Sequence, residues 1–259
     1  MRLACSLLFV SVCNAAEPTN LRQLLQDAQA ATREQLRLAA RYLGKEDIRE
    51  YEVKANGKKT MHRWSTYEAS VLEGMPYYRL IATNGKPLSK AQESIQENQM
   101  ARELEYRRRT PISERRNKSR YSANMQHIID YHELSFVGEE PMAGRPTWVI
   151  DTKLRDSAPR PEKHEDLMLS GNTRLWIDQA SGVILSWRLT IHRPWHAWTE
   201  GSTDQKITQV IESPDGKPIF VAKEMSARAP LPNGGARLTV QSFSDYRRFE
   251  ADSLITFEP

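Results

Sequence analysis

Apolar residues recur at helical spacing over Leu21, Leu24, Leu25 and Ala28, with Asn20 placed to cap and Gln23 three residues on, which predicts a helix from Leu21. Its end is less sharply marked, because Leu36, Ala39, Ala40 and Leu43 continue the period toward Gly44 while Tyr42 to Val53 also suits a strand. Beyond it the signals turn to β. Asn56-Gly57 is a strong hairpin dipeptide between Ile48–Lys54 and Thr60–Leu72, and the turn Glu73-Gly74-Met75-Pro76 leads into Tyr77–Thr83. Three antiparallel strands are expected there, ended by Asn84-Gly85-Lys86-Pro87. Ser89 and Gln92 form a capping box that opens a helical block from Lys90 to about His132, divided near Thr110-Pro111.

Strands resume at Leu134–Glu139 and Thr147–Leu154, joined by a turn through Pro141 to Pro146. Residues 155 to 172 lack periodicity, contain Pro159 and Pro161, and read as a long loop of the kind that is often functional. Thr173–Asp178, Val183–Arg193, Gln205–Glu212, Pro218–Ala229 and Ala236–Tyr246 follow, separated by Gly- and Pro-containing turns. Within Val183–Arg193, Val183, Leu185, Trp187, Leu189 and Ile191 alternate with Ile184, Ser186, Arg188 and Thr190, giving one dry face. The fold class expected is α+β: a strongly curved antiparallel sheet or incomplete β-barrel of about ten strands, with helices covering the concave face.

The first residues change the picture of where this fold operates. Met1-Arg2, the apolar run Leu3 to Cys13, and Ala15-Ala16 before Glu17 have the three regions of a secretory signal peptide, cleaved near Ala15 or Ala16. The expected organisation is a signal peptide at 1–16 and a single domain at 17–259, with the helical block 88–132 inserted between strands. The expected location is the periplasm. Val12 before Cys13 is a poor lipidation context, which disfavours a lipid anchor. Both cysteines, Cys5 and Cys13, fall in the cleaved segment, so no thiol chemistry is expected of the mature chain. The formal charge of +4 becomes +3 when Arg2 is lost, too mild to imply nucleic acid.

Several short segments carry a resemblance. Tyr77-Tyr78-Arg79-Leu80-Ile81-Ala82, Asn84 to Ser89 and the charged helix after it come first. Phe136 to Glu139, Gly144 to Ile150, Arg174 to Asp178 and Ser244-Asp245-Tyr246-Arg247 complete the set. Together they resemble the periplasmic outer-membrane lipoprotein-sorting proteins, a lipoprotein-carrier-like (LolA-LolB-like) family, over roughly residues 35 to 255. The resemblance implies an incomplete β-barrel covered by helices and an apolar cavity that accepts acyl chains. The chain departs from the well-studied carrier in its larger helical block, and no position matches that carrier's key cavity arginine.

The residues themselves offer little catalytic chemistry. There is no Gly-x-Ser-x-Gly elbow and no phosphate-cradling glycine loop. His192 and His196 have metal-pair spacing only on a helix, and Pro194 between them excludes one, so no metal site, cofactor or catalytic residue is assigned. The ligand-cavity candidates are Trp148, Ile150, Leu185, Trp187, Leu189, Ile191, Val221, Met225, Leu238 and Val240, which would line one concave surface if strands pair in sequence order. Arg107, Arg108, Arg109, Arg115 and Arg116 form a basic patch suited to anionic headgroups or an acidic partner. Trp195 and Trp198 are candidates for a lip that seals a cavity or touches a membrane.

The expected function is a non-catalytic periplasmic carrier or binding protein for a lipid or acylated, lipoprotein-like ligand. The expected partners are a lipid or acylated protein, with transient contact to a membrane surface or membrane protein and none with nucleic acid. A sensor that binds a membrane-protein peptide and a cell-envelope hydrolase are the alternatives.

Overall fold

A computed structural model describes residues 18–73, 75–110, 125–162, 164–196 and 198–249. The expected signal peptide, both cysteines, Arg115 and Arg116 lie outside the described residues.

Helix α1 spans Leu21–Ala39 and begins where the sequence marks it, with the Asn20 side chain accepting a hydrogen bond from the Gln23 backbone N–H. Three strands follow, β1 (Tyr42–Val53), β2 (Lys59–Leu72) and β3 (Met75–Thr83), and a two-residue strand β4 (Lys86–Pro87). Helix α2 (Lys90–Arg109) carries the full Ser89–Gln92 capping box, and helix α3 (Gln126–Tyr131) leads into β5 (His132–Met142) and β6 (Arg145–Leu154). The segment 155–172, expected as loop throughout, contains a 3-10 helix at His164–Ser170 and the start of β7 (Gly171–Asp178). It is held in place by Arg193, whose guanidinium donates to the carbonyls of Arg155, Asp156, Ala158 and Pro159. Strands β8 (Ile184–Ile191), β9 (Thr203–Glu212), β10 (Pro218–Pro230) and β11 (Ala236–Arg248) complete the chain.

The strands form one eleven-stranded sheet in the order β4-β3-β2-β1-β11-β10-β9-β8-β7-β6-β5. Every recorded pairing is antiparallel, and all but one join neighbours in sequence. The exception is β1 with β11, which brings the two ends of the strand series together in the middle of the sheet. Beside this seam, Gly44 of β1 has no room for a side chain, since a Cβ there would stand 2.4 Å from the Ser244 carbonyl oxygen. The sheet does not close: β4 and β5 are its edges, and the helical block that connects them is the segment between those edges.

The core sits under the β5–β8 half. Leu25 and Ala28 of α1, Ile128 and Ile129 of α3, and Ile150, Leu175, Ile177 and Ile184 of the sheet form one buried cluster with Met168. Three polar bonds position α1 over it. The Arg22 guanidinium donates to the Ile129 carbonyl at 2.6 Å, the Thr32 hydroxyl oxygen accepts from the Ile184 N–H at 2.9 Å, and Gln35 Oε1 accepts from the Phe220 N–H at 3.5 Å. Helix α2 is different: none of its residues is buried, and its apolar positions gather on no face. What holds it is Arg107, which bonds Glu103 and donates to the carbonyls of Leu72, Met75 and Pro76 at the β2–β3 turn.

Candidate functional site

Strand register shows how one face of the sheet changes character along its width. Phe136, Ile150, Leu175 and Trp187 stand opposite one another across β5 to β8, and the same row continues through Lys206, Met225, Gln241, Ile48 and Ser65. The first four belong to the packed core or lie against it. From Lys206 onward the row is mixed, and Lys206 itself borders a cavity between the sheet and α1.

The cavity holds about 280 Å³. Its roof is the second half of α1 with the residue after it (Thr32, Gln35, Leu36, Ala39, Ala40), and its floor runs from β8 to β3 through Phe220, Ala222, Phe243 and Ala69. Small side chains at Ala39, Ala40, Gly44, Ala69 and Ala222 explain the open volume, because the helix and strands approach there without large residues to fill the gap. The lining is chiefly apolar, with a few polar groups at defined places, as in ligand sites generally. Another depression, of about 480 Å³, is lined by Asp151, Arg174 and Arg188, but Arg174 and Asp151 there already neutralise each other through two hydrogen bonds of 2.6 and 2.7 Å.

Among the polar side chains that border the apolar cavity, four have perturbed titration. Lys206 enters from β9, and its ammonium makes no hydrogen bond or ion pair with a described residue; burial lowers its pKa. Glu46 enters from β1, and burial pushes its carboxyl up. The Tyr246 hydroxyl donates to the Ala222 carbonyl at 2.7 Å, which ties β11 across to β10, and burial raises its pKa. Tyr78 on β3 is raised first by burial and then by the nearby Glu46 carboxylate.

The residues predicted as cavity lining distribute differently. Ile150 lies inside the core beneath α1 and α3, and Trp148 and Trp187 pack against it. Leu189 and Ile191 are fully buried on β8. Leu185 leaves the alternation, because the ladder slips between Ile184 and Ser186, and it joins Val183 and Phe220 instead. Val221 lines the cavity. Met225 shares the row of Lys206, and Leu238 and Val240 flank Gln241 in sequence distance of odd count; alternation therefore turns both to the opposite face of the sheet. The expectation that these last two share one surface with Trp187 is corrected by that register.

The basic patch also resolves into pairs. Arg107 is turned inward to the β2–β3 turn, Arg108 bonds Glu73 at 3.0 Å, and Arg109 bonds Glu105. Trp195 and Trp198 bond to each other's backbones across a tight turn. No group of three or more His, Cys, Asp or Glu side chains is arranged for a metal among the described residues.

Lys206, Glu46, Tyr78 and Tyr246 were not among the sequence candidates. Asp204, Lys206 and Thr208 do form a period-two polar stripe, but only the register reveals that this stripe faces inward, opposite Leu189 and Trp187.

An open antiparallel sheet with a helix on its inner face is the architecture that the family resemblance implies. No family model matches the chain, and no curated protein matches it. Among solved structures, a domain named for outer membrane lipoprotein sorting from Vibrio parahaemolyticus aligns at 12% identity and a TM-score of 0.38, over 90% of this chain and 93% of that one. A LolA superfamily protein from Nitrosomonas europaea aligns at 9% identity and a TM-score of 0.33, over 86% and 94%. The complex of MucA and MucB from Pseudomonas aeruginosa provides a chain at 13% identity and a TM-score of 0.27, over 89% and 99%.

Proposed function

We propose that this protein is a non-catalytic binding protein or carrier of the periplasm that accepts a single acyl chain between the second half of α1 and the β3–β8 part of the sheet. The observation that carries this reading is the cavity itself: about 280 Å³ of space with a chiefly apolar lining, roofed by a helix whose Thr32 and Gln35 bond the backbone of Ile184 and Phe220 at its border. That volume lies just below the usual range for small-molecule sites, of roughly 300 to 1,000 Å³. It therefore suits one chain or part of one, rather than the several chains of a fully acylated lipoprotein.

Binding would rest on removing methylenes from water, each contributing about 0.8 kcal/mol. No covalent step is required. Organic extraction of the protein purified from a cell envelope, followed by mass spectrometry, tests the reading. Recovery of a single-chain lipid in stoichiometric amount supports it; a lipid-free extract from protein that also ignores a fluorescent fatty acid rejects it.

A further inference from the structure

We propose that Lys206 is the recognition point for an anionic head group, so that the cavity selects single-chain amphiphiles with a carboxylate or phosphate and seats them in one direction. The inference deepens the acyl-chain reading above and rests on it. Its basis is the placement of charge within an apolar cleft.

Lys206 borders the cavity at its β8–β9 end, with Trp187 directly opposite on β8 and Met225 directly opposite on β10. Neither neighbour can accept a hydrogen bond from an ammonium in any strength, and no described carboxylate pairs with it. An unpaired ammonium in a partly buried, chiefly apolar cleft is costly, and burial already lowers the pKa of this one. A ligand anion would supply the missing partner and hold the lysine charged. The Thr208 hydroxyl, two residues along the same strand face, borders the same space and can donate beside it.

The other end of the cavity carries Lys45, already paired with Asp245 at 2.9 Å, and Glu46, which has no such partner among the described residues. Glu46 stands on β1, three ladder steps from β9 in the sheet order, or roughly 14 Å at about 4.8 Å per step. That separation is too long for a direct pair with Lys206, and no such pair occurs. An anionic head is attracted at β9 and repelled at β1. The chain of the ligand then runs toward β1–β3 along Ala222, Phe243, Leu43 and Ala69. Geometry of this kind distinguishes an amphiphile with an anionic head from a neutral lipid of equal length.

The test compares palmitate, hexadecyl lysophosphatidic acid and neutral 1-hexadecanol, by displacement of a fluorescent fatty acid or by calorimetry, on the wild type and on Lys206→Met and Lys206→Gln. A charge-assisted hydrogen bond predicts an anion preference of about 10- to 150-fold over the alcohol in the wild type. Both variants should lose the preference, and Lys206→Arg should retain it. The ratio of palmitate to lysophosphatidic acid identifies which anionic head fits. Equal binding of acid and alcohol by the wild type, or a preference that survives both variants, overturns the role of Lys206 and leaves the acyl cavity standing. If no ligand of the three binds the wild type, the cavity reading fails and this inference with it.

Discussion

Lys206 of β9 stands directly across the ladder from Trp187 of β8, and between these two residues one sheet face passes from packed core to open cavity. On the Trp187 side, α1 and α3 lay Leu25, Ala28, Ile128 and Ile129 onto the strands. On the Lys206 side the same helix α1 continues, but Gly44, Ala69 and Ala222 beneath it leave gaps between the larger side chains, and space remains. The two halves divide the work: one holds the helix, the other provides room beneath it.

The packed half should therefore bear the stability. Ile177 is fully buried at the centre of that cluster. Ile177→Ala is expected to cost about 2–5 kcal/mol in chemical denaturation, with little change in acyl-ligand affinity measured under conditions where the variant is folded. A variant as stable as the wild type would show that α1 is held by something other than this cluster.

Arg107 is expected to act as a clamp on the β2–β3 turn rather than as part of a free basic surface. Its guanidinium serves three carbonyls and Glu103 at once. Arg107→Ala should destabilise the protein by about 1–3 kcal/mol and speed amide hydrogen exchange at residues 72 to 76 and along α2. Unchanged exchange in both segments would contradict the clamp.

Two buried groups set opposite pH limits. Burial raises the Asp204 carboxyl to about 7, so its native state favours the protonated form; the stability it contributes is complete below its unfolded value near 4 and is lost as pH rises toward 7. Burial lowers His132 to about 4, with its ring nitrogens held by Thr152 Oγ1 and the Met168 carbonyl; its contribution is complete above about 6.5 and is lost as pH falls through 4. Asp204→Asn is expected to raise the melting temperature at pH 8 relative to wild type and to have a smaller effect at pH 5. The contribution is on the order of 4 kcal/mol at most. Identical pH profiles of melting temperature for the two proteins would exclude this assignment.

Much of the fold was legible because its signals are local. The Asn20 cap, the Ser89–Gln92 capping box and Asn56-Gly57 each fix an element boundary through residues a few positions apart, and each is where the sequence places it. The pairing of β1 with β11 was not legible, since Ile48 and Gln241 meet across nearly the whole chain with no local mark. The site was harder still. Trp148, Ile150 and Trp187 carry the strongest apolar pattern, and that pattern denotes a filled core as readily as a cavity. The cavity is instead defined by small residues such as Ala69 and Ala222, whose lack of bulk leaves no periodic trace.

The most direct test of the account is the affinity of a fluorescent fatty acid for the wild type and for Ala222→Phe, a substitution that places a ring in the cavity while keeping the Ala222 carbonyl that Tyr246 uses. Saturable one-to-one binding by the wild type, with at least a tenfold loss in a variant whose melting temperature is unchanged or raised, is the result the account predicts. Equal binding by the two proteins would place the ligand elsewhere and contradict it.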